Sequence, residues 1–255
     1  GNDFMTEERQ YVYAIIGTDR EVHFGPIGIC NGNNEVYTVV QDDGIGAVVS
    51  DSAILQYPVT RANTMAHQKV METVMEQYPM LPVRFGTVSE GLGPIREKLL
   101  TDRGRELTDI LAYMKGKVEL GVKVIWKDLK PVFDEIATKN TDIIRLRDRL
   151  VKQRGGAQRD QVRLGEMVKK ALEAWKAEKE KSIMATFEGL WVERKLNNHF
   201  GDQMITNAAF LVEKEKEKAF DLAVEQVAEQ YAGKMTLKYV GPIPPCNFVE
   251  IVVKW

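Results

Sequence analysis

Cysteine is nearly absent from this 255-residue chain, which carries only Cys30 and Cys246, far apart in sequence. So few thiols rule out a disulfide framework and fit a reducing, cytoplasmic setting. Histidine is almost as scarce. His23, His67 and His199 form no H-x-x-x-H pair and have no cysteine beside them in the sequence, whereas a zinc site needs about four convergent ligands. No apolar run is long enough to cross a bilayer, and no charged-then-apolar leader pattern opens the sequence. Charge of one sign is also missing: 35 basic residues stand against 37 acidic ones, a net charge of -2. That leaves no field to attract nucleic acid or an anionic membrane. G-x-S-x-G, P-loop and dinucleotide fingerprints do not occur. Gly91-Leu92-Gly93-Pro94 is too short and too proline-broken to cradle a phosphate, and Cys30 has no neighbouring base to activate it. These absences point away from an enzyme and from a resident cofactor or metal.

What is present is an ordinary globular composition, 44% hydrophobic and 28% charged, in a length that accommodates one large domain or two average ones. Tyr11–Ile16 reads as a strand, rich in aromatic and β-branched residues. A Gly/Asn-rich loop follows, ending at Asn31-Gly32-Asn33-Asn34. Val36–Val40 and Ile45–Val49 flank Gln41-Asp42-Asp43-Gly44, a hairpin signal. His67, Val70, Met71, Val74, Met75 and Tyr78 keep helical spacing, with Asn63 as the expected cap and Pro79 as the stop. Leu81–Phe85 reads as a short strand. Apolar periodicity predicts one helix from Ser89 to Met114, ended by Gly116.

From Val118 to Trp126 apolar and polar residues alternate, the pattern of a half-buried strand. Pro131 to about His199 is helical and highly charged, with a break at Gly155-Gly156. Ala208–Val212 reads as a strand, Ala219–Tyr231 as a helix capped by Gly233, and Met235–Tyr239 and Val249–Val253 as two further strands. Strands and helices mix without strict alternation. The expectation is an α+β protein of two domains. Residues 1–115 form an N-terminal α+β domain, and residues 116–255 a modified ferredoxin-like domain with a helical insertion over about 131–199.

Few residues stand out as chemistry. His67 reads as a helix-face histidine bonded to a neighbour. Arg84 lies in an apolar strand, where a guanidinium must be paired; a buried ion pair within its own domain is the first reading, and an anion or partner contact the sharper one. The run Arg145, Arg147, Arg149, Lys152, Arg154, Arg159 and Arg163 is interleaved with Asp142, Asp148, Asp160 and Glu166 and has no aromatics for base stacking. It reads as a solvated helix face, not a nucleic-acid site. Trp175, Phe187 and Trp191 lie in the helical insertion, either as core or, if outward, as anchors for a partner.

Two short stretches say the most. Leu81-Pro82-Val83-Arg84-Phe85-Gly86-Thr87-Val88 and Gly241-Pro242-Ile243-Pro244-Pro245-Cys246-Asn247-Phe248 combine rigid prolines, permissive glycines and an aromatic. With Tyr11–Ile16, Ile45–Ser50, the helix around His67, Gly116–Trp126 and Asn207–Val212, they resemble, in order, the motifs of the gas vesicle protein F/L family. Cys246 departs from that pattern, where the family often has Tyr, and the segment around Gly155-Gly156 matches no family motif. The resemblance implies a minor structural or accessory component of the gas vesicle, cytoplasmic before assembly. Its partners would be the very hydrophobic major shell protein and other accessory proteins of the vesicle. It would keep the shell protein from aggregating during nucleation and assembly, with no cofactor, no metal, no nucleic acid and no membrane. Arg84, Phe85, Gly86, Trp191 and Phe248 are the expected partner-binding residues. The alternative is a small-molecule-binding regulatory protein on a ferredoxin-like domain, which a pocket around Arg84 and His67 would favour.

Overall fold

A computed structural model describes residues 9–29, 34–41, 44–154 and 156–255. Cys30, the Asn31–Asn33 loop, the Asp42-Asp43 turn and Gly155 lie outside the described residues. The chain divides into two compact units, one running up to Glu119 and including Pro242–Trp255, the other spanning Leu120–Gly241. The last 14 residues, assigned from the sequence to the C-terminal half, thus pack with the first unit.

In the first unit, β1 (Arg9–Ile16), β2 (His23–Gly25), β3 (Val36–Val40), β4 (Gly46–Ser52) and β5 (Met80–Pro82) form an antiparallel sheet in the order β2-β3-β4-β1-β5, and β6 (Val88–Ser89) also pairs with β1. β1 is central, and Tyr11 to Ile16 have no exposed surface at all. A strand buried without alternation is covered on both faces. Helix α1 (Arg61–Met75) supplies part of that cover through His67, Val70, Met71 and Val74. Its cap is Thr60, whose side chain accepts the Asn63 amide; Asn63, expected to be the cap, sits inside the first turn.

The expected long helix from Ser89 to Met114 is three pieces. A single turn, α2 (Leu92–Pro94), runs into a π-helical stretch, Ile95–Thr101, and then into α3 (Gly104–Met114). The wider turn is visible in the bond from the Asp102 amide to the Glu97 carbonyl, 2.9 Å. It brings Ile95, Leu99 and Leu100 all into the core. At Gly116 a positive φ of 76° lets the chain leave α3 and enter the next strand, as glycine does at little cost.

The second unit carries a sheet in the order β10-β7-β9-β8, made of β7 (Lys117–Trp126), β8 (Glu193–Leu196), β9 (Met204–Glu213) and β10 (Met235–Ile243). Helices α4 (Lys130–Lys139), α5 (Thr141–Lys152) and α6 (Gln158–Ala185) fill the connection from β7 to β8, and α7 (Glu217–Gln230) the one from β9 to β10. In chain order that is a β-α-β-β-α-β unit with its last strand beside its first, the split arrangement of ferredoxin-like folds, with an enlarged first helical layer. Phe187, Phe210 and Phe220 form its aromatic core, with ring centroids 4.7–5.2 Å apart. The helical region ends at Ala185, and the residues read as its last part include strand β8. The strand expected over Val249–Val253 reduces to one parallel bridge, Val83 to Ile251.

Candidate functional site

The corner that follows β5 is held from beneath by a relay of neutral hydrogen bonds. β1 has a bulge at Tyr13, between the pairs Val12–Val49 and Ala14–Val48, and the Tyr11 and Tyr13 rings meet at a tilt of 48° with centroids 4.6 Å apart. The Gly86 amide donates to Tyr11 Oη at 2.9 Å. Tyr11 Oη in turn lies 2.9 Å from His67 Nδ1, and the Val83 backbone is a further hydrogen-bond partner of the His67 ring. Burial pushes His67 down to about 4, an effect only partly offset by that backbone bond, and raises Tyr11. The imidazole is therefore neutral at pH 7. Phe85 closes over it, 5.6 Å from the His67 ring. Gly86, at φ 83°, makes the turn, and Thr87 Oγ1 donates to the Arg84 carbonyl at 2.7 Å.

The second motif docks beside the first. Pro244 and Pro245 are buried, and the Cys246 and Phe248 amides close a tight turn on the carbonyls of Pro244 and Pro245. Glu119, only 1% exposed, grips that turn. Its Oε1 accepts the Asn247 amide at 3.0 Å and its Oε2 accepts Asn247 Nδ2 at 2.7 Å. The chain then reaches the first corner, where the Ile251 amide donates to the Pro82 carbonyl and the Arg84 amide to the Ile251 carbonyl, 2.9 and 3.0 Å. Arg103 donates to the Val252 carbonyl at 2.7 Å. Cys246 is exposed at the surface, yet partial desolvation of its thiol and the charges of Glu119 and Glu250 push it up to about 11, so it is a poor nucleophile.

Five residues were expected to bind a partner, and four of them meet here. Arg84 pairs with Glu250 at 2.9 Å, but its side chain is 63% exposed. The buried pair inferred from its apolar neighbours is instead a surface pair, worth about 0–1 kcal/mol. The strand ends at Pro82, before Arg84, and the guanidinium escapes to water. Phe85, Gly86 and Phe248 are half-buried parts of the closure. Arg84 faces solvent, and the His67 ring is engaged under Phe85. Glu119, the residue that fastens the second motif, was read only as one polar position of an alternating strand. Its partner lies 128 residues away, so no local pattern could mark it.

Trp191 is in the other unit. It sits just ahead of β8, not on a helix. Arg194 stacks 5.2 Å above its ring, and its buried Nε1 has no acceptor among the described residues. β8 is an edge strand, and all four of its residues are exposed. The Asn197 amide donates to the Asn207 carbonyl of β9 at 2.7 Å. Alternation along the ladder then turns the Lys195 amide toward β9 and the Arg194 and Leu196 amides away from it. Exposed apolar side chains flank that free edge: Val192, Leu196 and Phe200, the last 74% exposed. Among the described residues no group of three or more His, Cys, Asp or Glu could hold a metal ion, and no helix is long and apolar enough to cross a membrane.

Comparison with known proteins gives a consistent result. The family model described as gas vesicle synthesis protein GvpL/GvpF matches residues 9–250. The chain is 27% identical to gas vesicle protein F2 of Halobacterium salinarum, over 97% of this chain and 94% of that protein. It is 25% identical to gas vesicle protein F of Microcystis aeruginosa, over 82% and 86%. Its fold is similar to the crystal structure of the gas vesicle protein GvpF from Anabaena sp. PCC7120, with a TM-score of 0.79, 24% identity and coverage of 96% and 99%.

Proposed function

This chain belongs to the gas vesicle synthesis protein GvpL/GvpF family, and from that premise we propose that it binds the major shell protein of the gas vesicle and keeps it from aggregating while the vesicle nucleates and grows. A shell subunit that turns an apolar face to gas is prone to self-association before it is built into a wall. A protein that binds the unassembled subunit lowers its free concentration by mass action. Other accessory proteins of the vesicle are further partners, and the binding needs no bond-making step.

The observation that carries this reading is the free edge of β8. Outward amides and carbonyls offer a template for an added strand, in which backbone bonds supply affinity and side chains selectivity. Glu193, Arg194 and Lys195 stand on that edge, and in the antiparallel register that sets two copies of β8 end to end Arg194 faces Lys195. Like charges opposed across the pairing repel a second copy, while an uncharged apolar strand meets no such penalty. Val192, Leu196, Phe200 and the Trp191–Arg194 stack supply the apolar and aromatic contacts that dominate interfaces. Co-expression tests this. The shell protein is expected in the soluble fraction, retained on a tagged copy of this chain. Shell protein that stays soluble yet is not retained would refute the proposal.

A further inference from the structure

We propose that a cavity in the second unit recognises a carboxylate carried next to an apolar side chain, supplied by a segment of a partner polypeptide. The cavity measures about 400 Å³, within the usual size range of ligand sites. Trp126 at the end of β7, Trp175 on α6 and Tyr231 at the end of α7 form its walls. Trp126 stands nearly perpendicular to Trp175, with centroids 5.2 Å apart, and lies 5.8 Å from Tyr231. The Lys179 ammonium sits over all three rings, at 5.8, 5.5 and 5.3 Å.

An ammonium on aromatic faces is held in place by the ring quadrupoles, but its N–H donors are not satisfied there. Lys179 has no oxygen acceptor and no ion pair among the described residues, and neither do the side chains of Lys127 and Lys234 at the same cavity. The two acids lining it are engaged elsewhere: Asp128 accepts the Lys130 amide at 2.9 Å and Glu135 pairs with Lys139 at 3.0 Å. The lining carries three lysines against two carboxylates, one of them already paired with Lys139, so the site is an aromatic box with a net positive charge and one ammonium fixed against its rings. The first turn of α4, with Pro131 and Val132, also faces the cavity and adds the positive end of a helix dipole. A free cation is repelled by Lys179 and a plain anion leaves the rings unused. A carboxylate beside an apolar or aromatic group satisfies both. The site lies on β7, α4, α6 and α7, apart from β8, so it stands or falls independently of the shell-protein reading.

Trp126 and Trp175 report occupancy through their fluorescence. The probes are acetyl-Leu-Phe-Glu-amide and its Gln counterpart, with 3-phenylpropanoate as a free small acid. The acidic peptide is expected to change the emission saturably, the Gln peptide to bind at least tenfold more weakly, and Lys179→Met to lose at least tenfold for the acidic peptide with an unchanged melting curve. Should Lys179→Met not fold, Lys127→Met with Lys234→Met is expected to weaken the acidic peptide about threefold and leave the Gln peptide unaffected. Equal binding of the Glu and Gln peptides, no saturable binding of either, or undiminished binding by the lysine variants overturns the proposal. Binding of 3-phenylpropanoate without binding of the acidic peptide overturns the assignment to a polypeptide.

Discussion

Acid is expected to loosen the first unit through one buried imidazole. His67 is neutral in the folded protein, held down to about 4 by burial, whereas in the unfolded chain it titrates near 6.5. Between those values the unfolded state binds the extra proton, so stability is lost as pH falls and is fully present above about 7. The gap of roughly two and a half in pKa corresponds to about 3 kcal/mol in all, with about 1.4 kcal/mol lost by pH 5.5 and about 2.5 kcal/mol by pH 4.5. Below about pH 4 the folded state takes up the proton too and the loss levels off. Carboxylates titrate in the same range, so the comparison must be with His67→Gln, which can still hydrogen-bond to Tyr11 and Val83 but cannot charge. Urea unfolding at a series of pH values, followed by circular dichroism, gives the free energies. The variant is expected to be less stable at pH 7.5, and its deficit is expected to shrink by about 2.5 kcal/mol on going to pH 4.5. Parallel pH profiles for the two proteins would refute the buried, neutral assignment of His67.

Glu119→Ala removes the buried acceptor of two bonds from Asn247. A loss of about 2–4 kcal/mol is expected by urea unfolding, and a change under about 0.5 kcal/mol would contradict the role given to Glu119. Cys246, raised to about 11 from 9, has a thiolate fraction about a hundredfold lower than an ordinary cysteine at pH 8. In a Cys30→Ser background, alkylation by iodoacetamide is expected to be slow in the folded protein and to accelerate about tenfold in denaturant, since the higher-pKa thiolate is the stronger nucleophile. Equal rates in the two states would show that neither burial nor the neighbouring carboxylates act on the sulfur.

The strands that the sequence announced are those with one plain signal. Lys117–Trp126 alternates because Leu120, Val122, Val124 and Trp126 point to a core and the residues between them largely do not. Tyr11–Ile16 is apolar throughout because it is central. β8 gave no such signal: Glu193-Arg194-Lys195-Leu196 is exposed along its whole length, so burial wrote no pattern into it and its charges read as more helix. The π-helical turn at Ile95–Thr101 was missed for a different reason. Apolar positions at Ile95, Leu99 and Leu100 suit an ordinary helix face and a widened one alike. Val249–Val253 alternated like a strand, yet only Ile251 finds a partner. The two motifs at Leu81–Val88 and Gly241–Phe248 were legible as corners from their prolines and glycines. That they lie side by side, pinned by Glu119 and by the Pro82–Ile251–Arg84 bonds, depends on contacts across more than 120 residues of chain and could come only from the fold.

The account rests most heavily on the free edge of β8 as the place where the shell protein adds a strand. Leu196→Pro tests this directly, because it removes an outward-facing amide and leaves the bonds to β9 untouched. Light scattering of the dilute shell protein, mixed with this chain at equal concentration, reads the outcome. The wild-type chain is predicted to suppress the scattering and Leu196→Pro to lose most of that effect while melting as wild type does. Full suppression by Leu196→Pro would place the contact elsewhere and contradict the account.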